Sequence, residues 1–255
     1  MDYDNWVKEM GQNLTHPHLL GSDCVINRKA WEFVFIAQAL QERGMLAKGK
    51  KGLGFAVGKE PLPALFAKYG CKIVATDIDS SIETAQGWAS SNQHSSSVED
   101  LYKPDLCDKD TFNKNVSFSP LDMNSISDNF KDFDFCWSSC AFEHLGSIQN
   151  GKQFIYNMIK CLKPGGIAVH TTEFNLTSYF GTDLCGNSIF GHDDIIEMHN
   201  NLIAQGHNVE ELDFRLGVYN EENYVAYPPY EKPHFKLWLD GNMSTSFALI
   251  IKKAV

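Results

Sequence analysis

The segment from Lys51 to Asp79 constrains the fold of this chain more than any other stretch. It reads KGLGFAVGKEPLPALFAKYGCKIVATDID: a short apolar run, a glycine at Gly58, an amphipathic segment that ends at Gly70, and a second apolar run that stops at Asp77. Two apolar runs on either side of a helix-length segment are typical of a strand, helix, strand unit. In such a unit a glycine turn lets a nucleotide approach the backbone, and an acid at the second strand end can accept hydrogen bonds from ribose hydroxyls. The segment therefore predicts a nucleotide-type ligand.

The same alternation continues along the rest of the chain. Helices are predicted at Asn27–Arg43, Ser81–Ser91, Ile148–Leu162 (stopped by the KPGG turn) and His192–Gln205, and further strands at Val116–Leu121, Phe133–Ser138, Ile167–Thr172, Val209–Arg215 and Ser244–Lys252. Residues 92–115 are polar and are expected to be irregular. Strands that alternate with helices of ten to fifteen residues favour an α/β fold, in which a doubly wound parallel sheet carries helices on both faces. Ligands of such sheets bind at the carboxyl ends of the strands.

Composition narrows the class of protein. The 255 residues are 43% hydrophobic with a formal net charge of -10, and no basic patch is evident, which argues against a nucleic-acid partner. Seven cysteines form no CxxC pair, the first residues have no apolar signal core, and no apolar run is long enough to span a membrane. We therefore expect a soluble cytoplasmic protein without membrane contact. A single domain is predicted over residues 1–255, with an N-terminal helical cap at 1–45 and a core at 46–255 interrupted by insertions at about 174–190 and 216–243.

Taken together, the segments from about residue 52 to residue 252 resemble the class I S-adenosylmethionine-dependent methyltransferases. The family's glycine motif, an acid followed by G-x-G-x-G, aligns with GFAVGKE, where only the central Gly58 is kept. Gly54 stands at the acid, Ala56 at the first glycine and Glu60 at the third. The resemblance implies a Rossmann-like sheet of seven mostly parallel strands with an antiparallel last strand.

The resemblance also implies a set of cofactor contacts. Asp77 in IVATDID corresponds to the ribose-binding acid, and Asp122 in SPLDMNSI corresponds to the acid near the adenine amine, with Met123 beside the ring. The alternatives are that Asp79 binds the ribose, that Asp77 caps a helix, that Gly58 is an ordinary turn and that Asp122 lies in a surface turn. The full set of predicted cofactor-binding residues is Gly54, Gly58, Glu60, Asp77, Ile78, Asp122, Met123 and Ser139.

Candidate catalytic groups follow the fourth and fifth strands. Glu143 and His144 lie in SSCAFEHLGS, and His170 and Glu173 lie in IAVHTTEFN. Histidine is the natural base near neutral pH, so His144 and His170, with Glu143, are the predicted catalytic residues. Some relatives in the family bind magnesium through E-x-x-E-H after the fourth strand; here the first acid is replaced by Cys140.

That partial motif leads to a hypothesis of a Mg²⁺ or Mn²⁺ site formed by Glu143, His144, His170 and Glu173. The alternative is that Glu143 pairs locally and His144 packs under the cofactor.

These features predict a methyltransferase that acts on a small polar acceptor, with O-methylation favoured and a sugar or glycan-pathway metabolite as the suggested substrate. Tyr227, Tyr230, His234 and Lys236, in the unusual tail passage, are candidates for a substrate wall, and the alternative is that they only pack within the loop. The alternatives are a catalytically silent S-adenosylmethionine-binding domain and an NAD-dependent oxidoreductase, which is disfavoured because GxGxxG is absent. The sequence gives neither the acceptor nor the oligomeric state.

Overall fold

The computed structural model describes residues 3–14, 27–79, 81, 93–230 and 234–255. The strands in this part of the chain are β1 Lys51–Gly54, β2 Lys72–Asp77, β3 Val116–Pro120, β4 Phe133–Ser139, β5 Leu162–Asn175, β6 Thr182–Leu184, β7 Asn187–Ile189, β8 Asn208–Val209, β9 Val225–Ala226, β10 Lys236–Leu239 and β11 Asn242–Lys252. The α-helices are α1 Tyr3–Met10, α2 Arg28–Glu42, α3 Leu62–Lys68, α4 Lys109–Asn115, α5 Ile148–Met158, α6 His192–Ala204 and α7 Asn220–Asn223. None of the helices in these ranges is both long and apolar enough to cross a bilayer.

One large sheet organises the molecule. Its strand order is β3-β2-β1-β4-β5-β11-β10-β9, and β8 pairs with the end of β11. Strands β1 to β5 are mutually parallel, whereas β11 runs antiparallel to β5. The predicted α/β fold with an antiparallel last strand is confirmed. The described residues give this sheet nine strands rather than seven, since β8 and β9, of two residues each, add to its edge.

Each face of the sheet packs on its own set of helices. On one face Phe66 of α3 packs edge-on against Phe135 and Trp137 of β4. On the other face Phe154 of α5 packs against Phe55 and lies beside Phe142. Strand β4 is buried along most of its length because both of its faces are covered, and its centre, Phe135–Trp137, is accordingly apolar.

Helix α2 brings the amino-terminal part of the chain to the carboxyl ends of the strands. The Asn27 side chain accepts a hydrogen bond from the Ala30 amide (2.9 Å) and begins the helix as an N-cap. Gly44, at φ +66°, follows its end. The helix predicted at Asn27–Arg43 is therefore confirmed, and its packing against β4, β5 and β11 orients its first turn toward the site described below.

Other predicted elements differ from the structure. The polar stretch expected to be irregular contains α4, capped by Asp108, whose carboxylate accepts from the Thr111 amide (2.9 Å). This helix buries only Phe112, so it leaves little apolar pattern in the sequence. The tail strand is limited to Asn208–Val209, and the helix predicted at Ser81–Ser91 lies outside the described residues.

The KPGG sequence belongs to β5 and does not form a turn before it. The Gly165 amide donates to the Lys253 carbonyl (3.1 Å), and the Lys253 amide donates to the Gly166 carbonyl (2.9 Å). Gly165 has a positive φ of 74°, and the pairing of β5 with β4 shifts in register between Phe133 and Phe135. These two features accommodate the two glycines within the strand. Pairing with the chain that follows β11 thus extends the strand beyond its apolar core.

Candidate active site

A cavity of about 580 Å³ opens at the carboxyl ends of β1, β2 and β4. This is the edge where a doubly wound sheet binds ligands, and the volume suits a cofactor-sized molecule. Its walls come from the turn after β1, the ends of β2 and β3, the turn after β4 and two residues of α2. The lining residues that the argument uses are Lys29, Gly58, Lys59, Glu60, Asp77, Ile78, Leu121, Asp122, Met123, Ser139, Cys140 and His144.

The turn after β1 has the conformation that its glycine permits. Gly58 has φ +50°, and a Cβ at this position would overlap the Gln93 carbonyl oxygen. Ala56 also has a positive φ of 46°. Only a residue without a side chain fits between the turn and the segment around Gln93, so Gly58 is required for this approach as well as for the turn.

Asp77 links three backbone segments of the cavity wall by hydrogen bonds. One oxygen of its carboxylate accepts from the amides of Gly58 (3.2 Å) and Ser95 (3.1 Å), and the other accepts from the Ile78 amide (2.9 Å). Burial raises the pKa of Asp77, although these amides oppose the shift. Asp79, by contrast, is exposed and accepts from the Ser81 amide. Of the two acids proposed for the ribose, only Asp77 lines the cavity.

Glu60 presents a buried carboxyl group to the same cavity. Its Oε1 accepts from the indole Nε1 of Trp137 (2.6 Å), and only 7% of the residue is exposed. Burial raises the pKa of Glu60 to about 8, with Trp137 and Lys29 opposing the shift. Glu60 is therefore largely protonated at neutral pH when no ligand is bound.

The remaining predicted cofactor residues occupy different surroundings. Met123 is buried and Asp122 exposed, and both line the cavity. Ser139 lines it too and donates to Glu32 (3.0 Å). Gly54 does not line the cavity, so its prediction as a cofactor contact is corrected. A Cβ there would overlap the ring of Trp137, so the small size of Gly54 instead admits the indole of the neighbouring strand.

An ionic cluster lies beside the cavity, between α2 and the ends of β4 and β5. Its members are Arg28, Lys29, Glu32, Cys140, Glu143 and Glu173. Glu32 has no exposed surface and accepts hydrogen bonds from Lys29 Nζ (2.8 Å), Ser139 Oγ, Cys140 Sγ (3.0 Å) and Ser246 Oγ. Burial alone would raise the pKa of Glu32, but Lys29 and Arg28 outweigh it and bring the pKa to about 2. Glu32 is therefore ionised.

Glu173 and Arg28 form the second ion pair of the cluster. Arg28 Nη1 lies 2.6 Å from Glu173 Oε1, and Ser244 Oγ donates to the other oxygen. Burial disfavours the charge on Arg28, but Glu173, Cys140 and Glu32 together outweigh this effect and raise the pKa of the guanidinium. Arg28 thus keeps its charge although both side chains of the pair are largely buried.

Glu143 is the member of the cluster without a compensating charge. It is completely buried, its Oε2 accepts from Thr172 Oγ1 (3.2 Å), and its Oε1 has no hydrogen-bond partner in the described part of the chain. Burial and the neighbouring Glu173 raise the pKa of Glu143 to about 8. The group is accordingly neutral over most of the physiological range.

His170 lies in the core, which corrects its prediction as a base and metal ligand. It has no exposed surface, its Nδ1 lies 2.7 Å from Ser138 Oγ, and its ring packs against Phe142 and Phe154. Burial lowers the pKa of His170 to about 3. Side chains three residues apart on a strand point to opposite faces, so His170 faces α5 whereas Glu173 faces α2.

His144 remains the one histidine of the predicted catalytic set that lines the cavity. Its Nδ1 lies 3.0 Å from the Gly186 carbonyl in the loop between β6 and β7, and burial lowers its pKa. A neutral imidazole in this position can accept a proton at neutral pH.

Of the four predicted metal ligands, Glu143 and Glu173 lie together in the described part of the chain, and the two histidines do not join them. Within the described ranges, the group with at least three potential ligand atoms in mutual proximity is Cys140, Glu143 and Glu173, without either histidine. Sequence reasoning missed Cys140, Glu32 and Arg28. A charged Glu32 inside the apolar stripe of α2 was the signal that could have revealed them.

The predicted substrate wall packs on β10 and does not line the cavity. Tyr227 is 58% exposed and stacks on Trp238, and the Tyr230 hydroxyl donates to the Trp238 carbonyl (3.1 Å). Lys236 Nζ donates to Asn223 (2.6 Å). His234 approaches the ionic cluster; burial and Arg28 lower its pKa to about 4.

Comparison with known proteins assigns the family. Residues 53–170, which run from β1 into β5, match the family model described as a methyltransferase domain. Residues 53–170 are therefore a methyltransferase domain of the class I S-adenosylmethionine-dependent type. The turn at Gly58, Asp77 and the segment around Glu143 all fall within the matched region of this methyltransferase, and the oxidoreductase alternative is set aside. A sequence search of curated proteins found no match.

Solved structures share the fold of the methyltransferase. Magnesium protoporphyrin IX methyltransferase (ChlM) from Synechocystis PCC 6803, with bound SAH, has a TM-score of 0.57 at 11% identity; the match covers 99% of this chain and 94% of that one. A methyltransferase from Methanosarcina mazei has a TM-score of 0.52 at 13% identity, covering 84% and 97%. TehB from Haemophilus influenzae has a TM-score of 0.52 at 14% identity, covering 87% of this chain and 62% of that one. At these identities the likeness shows the fold alone.

The raised pKa of Glu143 predicts a pH-dependent stability that Glu143→Gln removes. Between the ordinary pKa of 4.5 and the folded value of about 8, the unfolded chain releases a proton that the folded chain keeps. Stability therefore falls as pH rises through this window, by at most about 1.4 kcal/mol per pH unit. As the pH rises from about 5 to about 8, the free energy of unfolding of Glu143→Gln should therefore increase by about a few kcal/mol relative to that of the unaltered protein.

Urea denaturation of chelator-treated protein at several pH values measures this difference. Glu211→Gln, at an exposed loop position, is the matched control and should show no such trend. A difference between Glu143→Gln and the unaltered protein that stays constant with pH contradicts the assignment of Glu143 as a buried neutral acid.

Proposed function

We propose that this methyltransferase transfers a methyl group from S-adenosylmethionine to a hydroxyl oxygen of a small polar acceptor, such as a sugar or a sugar-linked metabolite. The observation that carries the proposal is that His144 lines the same cavity as Gly58, Asp77 and Glu60. A proton acceptor and a set of groups suited to a nucleoside thus share one cavity. Lys29, Lys59, Asn13 and Asn124 also line it and can hydrogen-bond a hydroxylated acceptor.

The two ends of the cavity suit the two ends of the cofactor. Asp77 and Ile78 offer a carboxylate and a backbone at the end of β2, where a ribose is expected, and Leu121 and Met123 offer an apolar surface for a base. Glu60, at the turn, suits the cationic methionine end. Its carboxyl is neutral in the free protein, so binding of a cation beside it favours loss of its proton.

Methyl transfer requires an oxygen nucleophile aligned with the bond between sulfur and the methyl carbon. The bond between oxygen and the methyl carbon forms as the bond between sulfur and the methyl carbon breaks, and S-adenosylhomocysteine leaves as the neutral thioether. The hydroxyl proton passes to His144, which is neutral because burial lowers its pKa. The Gly186 carbonyl contacts Nδ1 of His144 and holds the ring in the cavity wall.

We also propose a cytoplasmic location and a small-molecule acceptor rather than a nucleic acid. The net charge of -10 supports the second part. The described cysteines, which are Cys71, Cys107, Cys136, Cys140, Cys161 and Cys185, are all free thiols, and this supports a reducing compartment.

Asp77→Asn tests the cofactor site. Loss of the carboxylate charge should weaken the affinity for S-adenosylmethionine by at least about tenfold, or about 1.4 kcal/mol, in isothermal titration. Asp79→Asn is the matched control, because Asp79 is exposed and outside the cavity, and it should leave the affinity unchanged. A larger loss in Asp79→Asn than in Asp77→Asn would assign the ribose to the other acid. Circular dichroism checks that both variants are folded.

His144→Gln tests the proton acceptor. On the best acceptor in a panel of sugars, nucleotide sugars and simple alcohols, the rate of S-adenosylhomocysteine release should fall by about 10²–10⁴-fold, while the affinity for S-adenosylmethionine stays the same. His199→Gln, on α6 away from the cavity, should retain the full rate. An unchanged rate in His144→Gln overturns the role of His144. If no hydroxylated acceptor releases S-adenosylhomocysteine although the cofactor binds, the silent-domain alternative replaces the proposal.

A further inference from the structure

We propose that Cys140, Glu143 and Glu173 form a binding site for a divalent metal ion of intermediate softness, with Zn²⁺ as the best fit. This metal site is a separate proposal from methyl transfer, and it does not depend on whether the acceptor carries a hydroxyl. It differs from the Mg²⁺ or Mn²⁺ site predicted from the sequence in its ligands and in its metal, because it uses a thiol and neither histidine.

The first argument is geometric. One potential ligand atom from each of the three residues lies within 4.8 Å of the other two. The ligand atoms of a tetrahedral zinc ion, at about 2.0–2.3 Å from the metal, lie about 3.3–3.8 Å apart, so side-chain rotations that shorten the separations by up to about 1 Å gather all three. The residues come from the end of β4, from the turn after it and from β5, and the Cys140 amide is fixed by a bond to the Thr171 carbonyl (3.1 Å).

The second argument is independent of the clustering of acids. Glu143 is completely buried, and its Oε1 has no hydrogen-bond partner in the described residues. Leaving a buried polar atom unpaired costs about 1–3 kcal/mol. The other oxygen of this carboxyl is held by Thr172 (3.2 Å), which orients the group and leaves the free oxygen available for a ligand.

The third argument is the balance of charge. Arg28 and Lys29 are paired with Glu32 and Glu173, so the ionised groups of the cluster cancel. A divalent ion bound by two anionic ligands, the Cys140 thiolate and the Glu143 carboxylate, would add no net charge to the cluster.

The ligand types select the metal. Thiolate ligands favour Zn²⁺ and similar ions, whereas Mg²⁺ and Ca²⁺ prefer oxygen alone. Three protein ligands are the number found in zinc sites that keep a position open for water or substrate. Cys140 also lines the cavity, so that position is accessible to a ligand bound there. Arg28, which pairs with Glu173, would orient one of the ligands.

Cobalt substitution tests the site without reference to activity. Chelator-treated protein is titrated with Co²⁺, and we expect one equivalent to bind with a near-ultraviolet thiolate-to-cobalt absorption band. Zn²⁺ should displace the cobalt, and an excess of Mg²⁺ should not. Loss of partners that only orient a ligand costs about 10–100-fold in metal affinity, so Cys140→Ser and Glu143→Gln should each cost about 100-fold or more. Cys185→Ser, at an exposed thiol, is the matched control and should keep the band.

Alkylation of the unaltered protein gives a readout that does not depend on a variant folding. Zn²⁺ should protect Cys140, and not Cys185, from a thiol reagent, as located by mass spectrometry of the peptides. Absence of one-to-one cobalt binding, a band that persists in Cys140→Ser, or equal labelling of Cys140 with and without Zn²⁺ overturns the proposal. Titration of S-adenosylmethionine into the same metal-free samples separates this outcome from a failure of the proposed function.

Discussion

The buried carboxylate of Glu32 is the interaction on which the arrangement of the active site depends. It joins Lys29 on its own helix to Ser139 and Cys140 at the end of β4 and to Ser246 on β11. An ionised carboxylate without exposed surface is tolerated only when it is fully paired, and removal of one partner of such a pair typically costs about 3–5 kcal/mol. Because breaking this network costs free energy, the network holds α2 in place across the carboxyl ends of the strands. As a result, Lys29 and Phe33 of that helix form part of the cavity wall.

Burial and neighbouring charges give the acidic side chains around the cavity different protonation states. Glu32 is ionised because two cations face it, whereas Glu60 and Glu143 are held neutral because burial outweighs the groups that favour their charge. Neutral buried acids are poised to lose a proton when a cation arrives. Glu60, which lines the cavity, can therefore become ionised when the positively charged methionine end of the cofactor binds beside it.

The sequence predicted the sheet because strand and helix periods are local properties. The apolar run Phe133–Ser138, the cap at Asn27 and the turn at Gly58 depend on neighbours within a few residues, and all three are present. The ionic cluster depends on contacts between residues more than a hundred positions apart, such as Glu32 and Cys140, and no local pattern encodes them.

Two errors have simpler physical causes. Alternation along β5 places His170 and Glu173 on opposite faces, and this alone separates the two groups that the sequence had placed in one site. Gly54 matched a cofactor motif in position, but it is small because Trp137 of the adjacent strand occupies the space beside it.

A crystal structure of the protein with bound S-adenosylhomocysteine tests the central claim most directly. The account predicts the nucleoside in the cavity, with a ribose hydroxyl within hydrogen-bond distance of Asp77 and the sulfur directed toward the side of the cavity that holds His144. A nucleoside bound outside this cavity, or one whose sulfur faces away from His144, would contradict it.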